Sequence, residues 1–223
     1  MGKMFFTLSL SALFMSFILM CDNPKAPMNK QADLPPAPPK PPTEITKAEK
    51  LRDDMRKLWE DHVAYTRNVI FCLVDNLPGT DQAVKRLLAN QDDIGNAMKQ
   101  FYGDTAAKKL TVLLHEHITG AAEVVKAAKM NDAKSLDVLN KSWMENADQI
   151  SVFLSGANPN WKEGEMKMMM HDHLKLTTDE AVARIKKDYE ADIKAYDNVH
   201  DEILKMADML SEGIIKQFPD KFK

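Results

Sequence analysis

The chain has 223 residues, 44% of them hydrophobic, 7% aromatic and only eight of them glycine, and this composition favours helices over strands. Its formal net charge of −3 comes without a basic stripe, which excludes nucleic acid as a partner. Cys72 is the only cysteine after Cys21, so the folded part of the chain must hold by packing and not by an internal disulfide.

Residues 1–21 predict an export signal or a membrane anchor. Lys3 precedes an uncharged run of 17 residues, which is short for a spanning helix and long for the core of a simple signal peptide. Cys21 follows at once, and Ile18-Leu19-Met20-Cys21 resembles the lipobox of bacterial lipoproteins, although that pattern has Gly, Ala or Ser where Met20 stands. A lipidated Cys21, a cleaved signal and an uncleaved anchor stay open. The segment predicts an exported chain that is attached to the membrane on the periplasmic or cell-surface side.

Residues 22–42 predict a disordered, proline-rich linker. Eight of the eleven prolines lie in this segment. Proline at such density favours extended polyproline II, which rises about 3.1 Å per residue and buries no core. The linker would hold the folded domain, predicted at 43–223, away from the membrane.

The folded domain is predicted to be an all-α, up-and-down bundle of five or six helices, because apolar residues recur at three- and four-residue steps between turn signals. The predicted helices cover about 46–76, 80–101, 104–130, 132–154, 163–176 and 177–217. Thr46-x-x-Glu49 and Thr177-x-x-Glu180 have the form of the capping box that opens a helix. A break is therefore expected just before Thr177.

A short motif recurs along the bundle at a nearly constant step. An acidic residue, a histidine and an aliphatic residue follow one another at 61–63, 116–118 and 172–174. Asn90 and Asn146 stand in a second motif, N-x-D-x-I, and are 56 positions apart. This periodicity predicts an internal repeat of about 55 residues.

The repeated polar residues all fall on apolar helical stripes. We therefore expect His62, His117 and His173 to meet in the interior, with Asn90 and Asn146 beside them as residues that bind a cofactor or small ligand. Neutral imidazole is a common ligand of transition metals, and three imidazoles from separate helices suit Zn, Fe, Mn or Cu. The sequence predicts a metal centre without identifying the ion.

Asp188 and Asp192 are further candidate metal ligands. With Tyr196 and His200 they form a ladder of four-residue steps, which places two carboxylates, a phenol and an imidazole on one face of the last helix. Carboxylates of this kind would complete the shell around three imidazoles.

Other interpretations use overlapping residues. A network of buried His and Asn side chains would satisfy its own hydrogen bonds and fix helix register, since an unsatisfied buried polar group costs about 1–3 kcal/mol. The methionines of 166–170, beside His171 and His173, would suit Cu(I), although helical methionines are usually core residues. No G-x-S-x-G, Walker or G-x-G-x-x-G motif occurs, which restricts an enzymatic interpretation to acid–base chemistry at a His/Asp centre.

Five stretches carry a resemblance to known sequences. They are LWEDHVAYTRNVI (58–70), RLLANQDDIGNAM (86–98), SWMENADQISVFLSGANPNW (142–161), HLKLTTDEAVARIKKDYEADIKAYD (173–197) and ADMLSEGIIKQFP (207–219). These stretches resemble a family of uncharacterised bacterial all-helical proteins, some of whose members are labelled glycosyltransferase or acetylglutamate kinase. The resemblance implies kinship over most of 58–219, whereas those labels imply nucleotide-type folds whose motifs this chain lacks.

The features together predict a membrane-tethered, extracytoplasmic helical bundle whose interior His/Asn/Asp centre binds a metal ion or a small ligand. The alternative is a structural or interaction protein whose buried polar network only fixes helix packing.

Overall fold

The computed structural model of the protein describes residues 44–223. The predicted signal or anchor and the predicted linker therefore lie outside the described residues. Within 44–223 every regular element is helical, which confirms the predicted all-α bundle. The helices are α1 (Lys47–Asp75), α2 (Thr80–Lys129), α3 (Ala133–Ala157), α4 (Glu163–Ile185) and α5 (Tyr189–Gln217), followed by a 3-10 helix (Pro219–Phe222). No helix of this part of the chain combines the length and the apolar character needed to cross a membrane.

Helix α2 bends at Gly103. The backbone there has φ 81° and ψ 171°, a conformation that glycine reaches without the penalty paid by residues with a Cβ. The bend separates two segments, α2a (80–102) and α2b (104–129), which correspond to two of the predicted helices. The described chain therefore consists of three helical hairpins: hairpin 1 (α1 and α2a), hairpin 2 (α2b and α3) and hairpin 3 (α4 and α5).

The predicted break before Thr177 is wrong. Helix α4 continues without interruption to Ile185, and Thr177 lies inside it with 5% of its surface exposed. The chain turns at Lys187, where φ is 60°, and Asp188 caps α5 by accepting a hydrogen bond from the backbone N–H of Ala191. Burial of the continuing α4 stripe outweighs the local capping signal, because Thr177 would have to leave the interior to cap a helix.

The helices form a closed ring. Each one packs on the next in the sequence, and α1 also packs against α5. The first helices of the three hairpins carry the repeated histidines toward the middle of this ring. We refer to the end of the bundle that contains Met55, Met98 and Met206 as the closed end, and to the end that contains Ile70 and Ala181 as the open end.

Candidate functional site

The three repeated histidines meet in the middle of the bundle. His62 of α1, His117 of α2b and His173 of α4 are each at most 4% exposed. The ring centroid of His173 lies 5.6 Å from that of His62 and 6.3 Å from that of His117. The structure thus brings together the three imidazoles that the sequence predicted to meet, and we call this group the histidine layer.

Each imidazole of the histidine layer contacts a polar side chain on the second helix of its own hairpin, 29 residues later. In every case the ring atom is Nδ1. The distances are 3.2 Å from His62 Nδ1 to Gln91 Nε2, 3.0 Å from His117 Nδ1 to Asn146 Oδ1 and 3.0 Å from His173 Nδ1 to Glu202 Oε2. These contacts fix the orientation of the rings and leave Nε2 as the ring nitrogen that can serve a ligand.

The three rings do not all face the same kind of partner atom. The Asn146 amide nitrogen donates to the carbonyl of Leu113, so its oxygen faces His117 and accepts from Nδ1–H. The Gln91 amide nitrogen instead faces His62 Nδ1, and it also donates to the carbonyl of Leu87 and to Asn90 Oδ1. A nitrogen therefore faces one ring and oxygens face the other two, whereas a metal ion requires a lone pair from every ring.

Asn90 supports the layer without contacting an imidazole. Its amide nitrogen donates to the carbonyl of Leu58, and its oxygen accepts from the Gln91 amide. Asn146 makes the equivalent contact with the carbonyl of Leu113. Leu58 and Leu113 each lie four residues before the histidine of their own hairpin. The predicted equivalence of Asn90 and Asn146 thus has a structural counterpart, but Gln91 binds the ring in hairpin 1.

Two of the three imidazoles are held neutral. Burial lowers the pKa of His62 well below its ordinary value, and the electrostatic interaction with the neighbouring imidazoles of His173 and His117 lowers it further. Burial, followed by charge on His173, lowers the pKa of His117 to about 3. The partner of His173 in hairpin 3, Glu202, is a carboxylate, whereas the partners of His62 and His117 are carboxamides.

Asp188 and Asp192, the two carboxylates predicted as metal ligands, do not contact the histidine layer. Asp188 caps α5, and Asp192 is 1% exposed and pairs with Arg67 at 2.9 Å and with Arg184 at 3.5 Å. Arg67 also pairs with buried Glu180 at 2.5 Å, while burial raises the pKa of Glu180 to about 7. Arg67, Arg184, Glu180 and Asp192 form an ion network between α1, α4 and α5, in which the two arginines pair with one of the two carboxylates predicted as metal ligands, Asp192.

Within residues 44–223, no group of three or more His, Cys, Asp or Glu side chains is arranged to hold a metal ion. The methionine-rich segment at the start of α4 does not converge either. Met166 and Met170 are buried in the core, whereas Met168 is 62% exposed and His171 pairs with Asp148.

A cavity of about 390 Å³ lies beside the histidine layer, toward the open end. Thr66, Ala121 and Thr177 line it, and each stands four positions, one helical turn, after a histidine of the layer. Eight of its twenty lining residues are Ala or Thr, and the others are mostly Val, Leu and Ile. Exposed Asp137 and Asn140 on α3 form part of its mouth.

Three further histidine pairs join neighbouring hairpins and were not predicted. Nε2 of each histidine lies 2.8–3.0 Å from a carboxylate oxygen. The pairs are His115 with Asp92, His171 with Asp148, and His200 with Glu60. The first two pairs are each 23 residues apart, and their aspartates belong to the repeated N-x-D-x-I motif, which was the available signal. We call these three contacts the hairpin clasps.

No protein-family model, no curated protein and no solved structure matches this chain.

Proposed function

We propose that this protein binds a small, largely apolar molecule in the cavity beside the histidine layer. In the same proposal, residues 1–42 tether the domain to a membrane on the extracytoplasmic side, which rests on the sequence of that segment. The observation that carries the proposal is a cavity of about 390 Å³ lined mostly by Ala, Thr and aliphatic side chains. Ligand pockets commonly measure about 300–1,000 Å³ and are mostly apolar.

The cost of the cavity supports a binding role. Unfilled space beside a core costs stability, because the side chains that line it lose packing contacts on one side. Larger side chains at Ala122, Ala128 or Ala181 would reduce the void. A polar network that only fixed helix register would need the histidine layer but not this space beside it.

An internal repeat of about 55 residues is part of the proposal, because it explains how the cavity and the layer arise together. The 29-residue spacing of histidine and partner in all three hairpins supports it. So do two surface grooves, in hairpins 2 and 3, in which seven residue pairs are each 56 positions apart. Examples are Glu116 with Asp172 and Asn146 with Glu202.

The proposal predicts saturable binding of N-phenyl-1-naphthylamine, a compact apolar fluorophore, to the compact unit 44–223. Ala122→Phe puts a ring into the cavity and should weaken binding by at least about tenfold. Ala106→Phe, on α2 but away from the cavity, is the matched control, and thermal melts verify that both variants fold. Absence of saturable emission from the unsubstituted domain, or unchanged affinity in Ala122→Phe, would contradict the proposal.

A metal ion in the histidine layer is the second candidate. Its support is the use of Nδ1 by all three rings, because metal-bound histidines usually direct their other nitrogen to a carboxylate or amide in this way. Gln91 would have to turn its amide so that its oxygen, which lacks a partner at present, faced His62. Elemental analysis with His62, His117 and His173 changed to Ala tests this candidate, which requires bound metal that all three changes remove.

A further inference from the structure

We infer that the ligand of this cavity is a cationic amphiphile: one apolar chain or ring system with a terminal ammonium group that stays at the mouth beside Asp137. This inference rests on the proposed function and identifies the chemical class of the molecule. It follows from where charge does and does not occur along the cavity wall.

The inner part of the cavity is unsuited to any charged group. Its walls are Val, Leu, Ile, Ala and Thr side chains and the indole of Trp143, and an ion without a partner in such surroundings loses its hydration without compensation. The hydroxyls of Thr66 and Thr178 already donate to carbonyls of their own helices, those of His62 and Leu174, and the Thr177 hydroxyl, which has no partner, is uncharged. The histidine layer beyond this end holds His62 and His117 neutral. The buried part of the ligand must therefore be uncharged and mostly hydrocarbon.

The charge that the lining residues carry lies at the mouth and is negative, while the nearby Lys129 ammonium already donates to the carbonyl of Leu73 and to Asn76. Asp137 is the only charged residue among the twenty that line the cavity. Lys134 and Lys141, one turn before and after it on α3, are not lining residues. Asn140 adds a carboxamide oxygen to the same rim. An ammonium group has three donors and no acceptor, so it matches these oxygens, while a carboxylate would meet like charge.

The volume limits the body of the ligand. About 390 Å³ is near the lower end of the range for ligand pockets, so a single short chain or one fused ring system fits, and a two-tailed lipid does not. Adding methylenes should strengthen binding about fourfold each, until the chain reaches the histidine layer.

The test compares octylamine, 1-octanol and octanoate, which share one chain and differ in the head group. Titration calorimetry on the compact unit 44–223 should give the order octylamine, octanol, octanoate, with about threefold between neighbours, since a partly exposed ion pair contributes modestly. Asp137→Asn should lower the affinity for octylamine to that for octanol and leave octanol unchanged. Asp53→Asn, an exposed aspartate on α1 with the same change in net charge, should leave the order intact.

The outcomes separate the inference from the function on which it rests. If none of the three compounds binds, the proposed function itself fails. If octanol binds and octylamine binds no better, or octanoate binds as well as octanol, the cavity is a ligand site but the inference is overturned. A preference for octylamine that survives Asp137→Asn also overturns it, because the attraction would then come from the overall charge of the domain.

Discussion

The two ends of the bundle are built from the same helices and are packed in opposite ways. At the closed end, Met55, Trp59, Met98, Met170 and Met206 help to enclose a void of about 10 Å³. At the open end, on the other side of the histidine layer, Ala and Thr side chains leave about 390 Å³. The difference lies in side-chain volume, since none of the residues around the small void is Ala or Thr. The closed end is therefore tightly packed, whereas the open end leaves room for a ligand.

The largest expected change in the free energy of unfolding comes from replacing a buried Leu by Ala, and the two ends can be compared with this one substitution. Leu114 faces the small void and Leu87 lines the cavity, both lie on α2, and they are 3% and 2% exposed. Leu114→Ala should lower the free energy of unfolding by about 4 kcal/mol and Leu87→Ala by about 2 kcal/mol, because Leu87 has fewer neighbours to lose. Urea denaturation measures both. Equal losses would mean that the two ends are equally well packed.

The second effect concerns the histidine layer that divides the ends. The pKa of His117 is about 3 in the folded protein, against an ordinary value of 6.5. Above pH 6.5 neither state binds the proton. Below it the unfolded chain does, so stability falls by about 1.4 kcal/mol per pH unit for each such histidine until the pH reaches the folded pKa.

His117→Gln should therefore lose about 2 kcal/mol less stability than the unsubstituted protein between pH 7 and pH 5. The raised pKa of Glu180 acts in the opposite direction, but it is common to both proteins and cancels in their difference. Asn96→Gln, which exchanges one non-titrating side chain for another at an exposed position on α2a, is the control and should keep the full pH dependence. Urea denaturation at the two pH values gives the comparison, and an identical loss in His117→Gln would show that His117 is not held neutral.

Most of the helices could be predicted from the sequence, but one helix boundary could not. Helical periodicity predicted the helices and the meeting of the three histidines, because a residue on an apolar stripe must face the core. The break at Lys187 was missed, since its local signal is weaker than the capping pattern at Thr177. The pairing of Asp192 with Arg67 and Arg184 was not predicted, because the pattern of a single helix does not reveal which side chains face it across an interface.

The candidate site was predictable only in part, for related reasons. Gln91 and Glu202 contact the imidazoles, but they differ in residue type from Asn146, and Gln91 is the second residue of its N-x-D-x-I motif, whereas Asn146 is the first. The cavity does not correspond to any sequence motif, because its lining residues are spread over four helices. Its volume depends on how far α3 lies from α1 and α4, and helix spacing follows from packing of the whole bundle. The one sequence feature that indicates the cavity is the presence of Ala or Thr four positions after each histidine of the layer.

A third effect tests whether the layer depends on its partners. Asn146→Leu leaves the Nδ1–H of His117 and the carbonyl of Leu113 without their contacts in the interior. The loss should be about 1–3 kcal/mol, the usual cost of unsatisfied buried polar groups. Asn96→Leu, at an exposed position on α2a, should change stability by less than about 0.5 kcal/mol. If the two variants are equally stable, the contact is dispensable for the fold.

The smallest effect is expected at the hairpin clasps, which lie outside both packed regions. His115 and Asp92 have side chains 37% and 53% exposed, and ion pairs at such positions contribute about 0–1 kcal/mol. A double-mutant cycle with Asp92→Asn and His115→Gln should therefore give a coupling energy below about 1 kcal/mol, lower still in high salt. A larger coupling would place part of the stability in the joints between hairpins, and the contrast between the two ends would no longer account for how this bundle holds together.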